Sequence, residues 1–102
     1  MANSDGRPTK ASHIIFRVHA LNRIFERQVA VADVRDVIAN GEVIQRYLDD
    51  KPYPSRLMLG WRDTRPLHVV VADDAEAGIL IVVTAYEPDP AQWDAGFKRK
   101  LI

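Results

Sequence analysis

Histidine and arginine are the side chains here best fitted to do chemistry, with three of the first and ten of the second among 102 residues. Imidazole exchanges a proton near neutral pH and guanidinium forks onto phosphate oxygens, so together they suit phosphodiester chemistry. Cutting RNA without a metal needs a base for the ribose 2′-hydroxyl, cationic donors for the charge growing at phosphorus, and an acid for the departing 5′-oxygen. His19 and Arg23 are four apart and share a flank if their segment is helical. His68 stands in an apolar run, Arg56 and Arg65 flank the ends of such runs, and Tyr86 closes the last one. The candidate catalytic residues are therefore His19, His68, Arg23 and Tyr86, with Tyr86 orienting the substrate or stacking on a base. Arg56 and Arg65 are the candidate substrate-binding residues.

Each candidate has a structural alternative. His19 can fix its helix to the sheet through a hydrogen bond, and His68, inside an apolar strand, can be a satisfied core histidine. Arg23 with Glu26 and Arg27 can be a solvated salt-bridge face. Tyr47, Trp61 and Tyr86 can be packing rather than stacking platforms. His13 and His19 are six apart with no carboxylate at a ligand spacing, so neither a metal site nor a cofactor is expected. No glycine-rich phosphate loop and no Gly-x-Ser-x-Gly elbow occurs, which sets nucleotide-dependent enzymes and serine hydrolases aside.

These side chains matter only if the elements bring them together. Ile14, Val18, Leu21 and Phe25 recur at helical spacing and predict a helix over about Val18–Gln28; the stretch 14–17 fits strand or helix. A second helix is predicted over 31–39, buried through Val34, Val37 and Ile38 and stopped by Asn40-Gly41, which tolerate a left-handed backbone. After Gly41 the period changes to two. Strands are predicted over 43–48, 56–61, 67–72 and 79–86, and the last two, dense in Val and Ile, should be central. Short turns make the four an antiparallel meander. Pro88 and Pro90 end it, and 92–100 form a short terminal helix or arm. The expected fold is α+β: two N-terminal helices on one face of a four-stranded antiparallel sheet. Its other face is either a partly apolar surface or covered by chain ends. Residues 1–11, with Gly6 and Pro8, form a flexible arm, and 12–102 a single domain.

Fourteen basic residues balance fourteen acidic ones, so no overall field favours nucleic acid or membrane. Cysteine is absent, which excludes disulfides and zinc thiolates. No apolar run reaches the roughly 20 residues that span a bilayer. The polar start lacks a secretory centre, so the expected location is cytoplasmic, with no membrane partner.

The residues carry a resemblance. His19-Ala20-x-x-Arg23-x-x-Glu26-Arg27, Gly41-Glu42-x-Ile44 with Tyr47, and Pro54-Ser55-Arg56 then Leu59-Gly60 come in order. Arg65-Pro66-Leu67-His68-Val69-Val70 and Thr84-Ala85-Tyr86-Glu87-Pro88 then Trp93 follow. Together they resemble the family called domain of unknown function 4258, which is similar to RelE-like toxins of bacterial toxin–antitoxin modules. At Arg17-Val18 the family more often has a Ser or Thr cap. The resemblance implies a RelE-like fold, metal-independent cleavage of messenger RNA, and a zinc-finger antitoxin as partner. The expectation is therefore a toxin-type domain that binds single-stranded RNA, with endoribonuclease activity left open. Neutral net charge counts against it, because RNA-cleaving toxins usually carry a basic surplus. The rival is a non-catalytic interaction module, or a homodimer through the exposed sheet face.

Overall fold

The structure is a computed structural model that describes residues 13–101, so the arm expected over residues 1–11 lies outside the described residues. The chain runs β1 (Ile14–Phe16), α1 (Val18–Glu26), α2 (Val31–Asn40), β2 (Glu42–Tyr47), β3 (Ser55–Arg62), β4 (Arg65–Asp74) and β5 (Ile79–Tyr86). The fold is α+β, but the sheet has five strands in the order β1-β5-β4-β3-β2 and is mixed. Strands β2 to β5 form the antiparallel meander. β1 adds to its edge in parallel, pairing Ile14, Ile15 and Phe16 with Leu80, Ile81 and Val82. Three residues are too few to show a period of two, so the purely antiparallel expectation lacked this strand.

Both helices lie on one face. Val34, Val37 and Ile38 of α2 pack with Leu67, Val69 and Val71 of β4, as their spacing requires. Gly60 of β3 lets α2 approach, because a Cβ there would stand 2.5 Å from Val37 Cγ2. Gly41 also serves by closeness. Its backbone is extended (φ −78°) and not left-handed as expected, and a Cβ would meet the carbonyl oxygens of Val37 and Leu59. The left-handed residue sits after α1 instead, at Gln28 (φ 58°). In α1 the packing face is Ala20 and Ile24, while Val18, Leu21 and Phe25 point outward.

The opposite face of the sheet, here the back face, is partly covered by the chain after β5. Trp93 meets the His68 ring edge-on at 4.5 Å and Phe97 meets Trp61 at 5.9 Å. Of the helix or arm expected over 92–100, the structure shows no helix. The segment doubles back on itself: Asp94 N–H donates to the Arg99 carbonyl, Leu101 N–H to the Gln92 carbonyl, and Trp93 bridges Lys100. The Asp94 carboxylate also accepts from the Lys98 N–H at 3.1 Å.

Candidate functional site

A cleft of about 320 Å³ opens where β1 passes into α1, facing the loop between β2 and β3. Arg17, the last residue before α1, has extended backbone and makes no side-chain cap, so the guanidinium turns to solvent at the rim. His19 follows one turn-step later and is exposed. From the other side the loop supplies Asp50, Lys51, Pro52 and Tyr53. Two prolines keep this loop out of the strand ladder. Ala72, Ile81 and Val83 make an apolar floor. Val83 is the extra residue of a bulge in β5, opposite the step from Val70 to Val71, and such a bulge re-aims a side chain beside a site.

The polar groups of the cleft divide into tied and free. Ser55 donates to the Asp50 carboxylate at 2.5 Å. The Asp74 carboxylate beside Tyr53 holds its phenol above the ordinary 10.0, by hydrogen bonding and by charge. Arg17, His19 and Lys51 have no ion pair within 4.0 Å among the described residues. A cationic rim therefore stands over an apolar floor, an arrangement suited to a phosphate attached to a flat apolar body.

The residues singled out in the sequence do not converge here. Of the six, His19 alone lines this cleft. Arg23 is on the same flank of α1 but further along, exposed, its side chain without a hydrogen-bond or ion-pair partner among the described residues. His68 is fully buried. It lies four residues along β4 from Ala72 of the cleft floor, which is about 13 Å of strand. Its Nε2–H donates to the Phe97 carbonyl at 2.8 Å, leaving Nδ1 to accept from the Tyr86 hydroxyl at 3.4 Å. Burial pushes the imidazole below its usual 6.5, against the raising effect of the Phe97 bond. Tyr86 is half-buried beside it, its phenol raised chiefly by burial. Arg56 is paired with Asp73 at 4.0 Å and lowered by desolvation. Arg65 Nε holds Glu87 at 2.6 Å, and Arg62 reaches the same carboxylate at 2.7 Å. His68 and Tyr86 are thus joined to each other and covered by the terminal segment, while Arg56 and Arg65 are engaged by carboxylates.

Arg17, Lys51 and Tyr53 were missed. The signal for them was weak: a basic residue where a helix cap was expected, and a proline-rich loop of unknown direction. Arg27 was also missed as an anchor. Beyond β1 the outer edge of β5 has no strand neighbour among the described residues, and Arg27 Nη1 donates there to the Ala85 carbonyl at 2.9 Å and to Thr84 Oγ1 at 3.1 Å. Among the described residues no three His, Cys, Asp or Glu side chains are grouped to hold a metal ion. No helix among them is long and apolar enough to cross a membrane.

A family model described as "Domain of unknown function (DUF4258)" matches residues 16–87. Comparison with curated proteins and with solved structures gave no match. The matched residues run from the end of β1 through β5 and include His19, Arg23, Arg56, Arg65, His68 and Tyr86.

Proposed function

The chain belongs to that family of domains of unknown function, and from this starting point we propose that it is a toxin-type domain whose activity is to bind single-stranded RNA in the cleft at the start of α1. One observation carries the reading: Arg17, His19 and Lys51, with no ion pair among the described residues, surround an apolar floor of nucleotide size, and the one carboxylate lining the cleft among those residues, Asp50, is taken up by Ser55. Phosphate oxygens meet the cations and the base lies on Ala72, Ile81 and Val83. The zero net charge does not oppose this, because affinity follows the local cluster and not the sum.

Binding, and not rapid cleavage, is the activity. His19 is the one imidazole lining the cleft, so a base is at hand but a second imidazole as acid is not. Fluorescence anisotropy with a labelled single-stranded RNA tests the reading. Arg17→Glu combined with Lys51→Glu should weaken binding by at least about tenfold at 50 mM salt, and raising salt should weaken wild type as well. His19→Ala should leave RNA integrity in solution unchanged from wild type. Equal affinity for wild type and the double variant would end the proposal.

A specific observation favours a second reading, a protein-interaction role. Val18 and Phe25 of α1 are 73 % and 84 % exposed, with Leu21 between them. This apolar stripe on the outer side of a helix is a docking feature, and it differs from the sheet face that was expected to serve.

A further inference from the structure

A second cleft, of about 490 Å³, lies beside β2 on the back face, bounded by the terminal segment. Gln45, Tyr47 and Leu57 form its base, and Lys98, Arg99 and Lys100 stand along its rim. Lys98 is held by Glu42 at 3.1 Å. Arg99 and Lys100 have no ion pair among the described residues, and the Asp94 carboxylate holds the Lys98 and Arg99 backbone in place from below.

The strand register joins the two clefts. Ile81 pairs with Ala72, Ala72 with Ser55, and Ser55 with Tyr47. These four residues form one row across β5, β4, β3 and β2, spanning three strand spacings, or about 14 Å. The first three line the cleft at α1 and the fourth lines the cleft at β2. Tyr47 is 37 % exposed at that junction, so its ring is open to a flat partner. Free cations mark both ends: Arg17 and Lys51 at one, Arg99 and Lys100 at the other.

We infer that the second cleft continues the first, and that one RNA strand crosses the back face along this row, with a base on Tyr47 and a downstream phosphate on Arg99 and Lys100. This rests on the RNA reading above and adds the length and path of the bound strand. The cations call for an anionic strand, and the exposed Tyr47 ring between them favours nucleic acid over an acidic peptide, because a base stacks on it; Glu42 and Asp50 are already engaged, by Lys98 and by Ser55. Base–aromatic stacking with a cationic groove is the general solution for single strands.

The test compares a nucleoside monophosphate with a single-stranded RNA of roughly six nucleotides, by anisotropy and calorimetry on the full chain. The longer ligand should bind at least about tenfold tighter. Tyr47→Ala, and Arg99→Ala with Lys100→Ala, should each remove most of that gain while leaving the monophosphate affinity unchanged. Arg35→Glu alters net charge by the same two units as the paired alanines, on a residue lining neither cleft, and should change neither affinity. Thermal melting of every variant identifies any that fail to fold, and for such a variant Tyr47→Leu or Lys100→Gln replaces it. If the monophosphate binds but length adds nothing, or the gain survives both variants, the continuation is wrong and the single-cleft reading stands. If neither ligand binds wild type, the RNA reading fails and takes the continuation with it.

Discussion

His68 carries its proton on Nε2, facing the Phe97 carbonyl, and with Nδ1 toward a phenol it has no anionic partner to steady a second proton. Desolvation therefore lowers its folded pKa below the 6.5 of an exposed imidazole. The sign of the linkage follows. Above 6.5 the ring is neutral in both states and its full contribution is present. As pH falls below 6.5 the unfolded chain takes up a proton that the folded one refuses, so stability is lost until the folded pKa is reached. Melting temperature should thus fall from pH 7.5 toward pH 5 more steeply in wild type than in His68→Gln, whose amide can still donate to Phe97 without titrating. Circular dichroism melts across that range measure the difference; identical slopes would mean that the ring is hydrated. The sequence placed His68 on the correct strand and named both fates open to it. What decided between them was the terminal segment folding over β4, a long-range contact that no local pattern around residue 68 encodes.

The terminal segment is the element that walls the cleft at β2 and covers His68 on the back face. It holds by a few contacts: Trp93 on His68, Phe97 on Trp61, and the Asp94 turn. Trp93→Ala should remove the edge contact and wet the imidazole, costing about 2 kcal/mol, below the usual aromatic-to-alanine loss because Trp93 is only half-buried. The same change should bring the His68 pKa up toward its ordinary value, which imidazole proton chemical shifts followed against pH will report; an unmoved titration would show that burial comes from the sheet alone. Elements differed in how far they could be read. β5 came out at its own boundaries because eight Val- and Ile-rich residues leave little choice. In α1, Val18, Leu21 and Phe25 and also Ala20 and Ile24 recur at helical spacing. The stronger apolar set is the exposed one, so hydrophobicity pointed to the wrong face. Of the site, His19 was legible from its type and its helix; Arg17 and Lys51 were not, since only the closing of the β2–β3 loop against α1 puts them together.

At the scale of the molecule, the sheet separates two surfaces. The proposed RNA row lies on the back face, and the apolar stripe of α1 points away from the sheet on the helix side; the two come near each other only at Val18, between Arg17 and His19 of the cleft, and Phe25 stands at the far end. Were a second copy of this chain to occupy the stripe, the contact would be isologous. A stripe lying along one helix is self-complementary about a twofold axis set across it, each Phe25 meeting the other protomer's Val18 and Leu21. On α1 the stripe is flanked by the polar Asn22 and Glu26, while Arg27, just past the helix, is turned to β5. Sedimentation velocity over a hundredfold range of concentration would then show a monomer–dimer equilibrium, and Phe25→Lys should shift it toward monomer by about tenfold or more, since a charge set against the other copy's Val18 and Leu21 is desolvated without a partner. RNA affinity of the variant should equal that of wild type, because residue 25 lines neither cleft. A wild-type chain that stays monomeric at every concentration would leave the stripe to a different protein. Loss of RNA binding in Phe25→Lys would instead mean that the two surfaces are not independent.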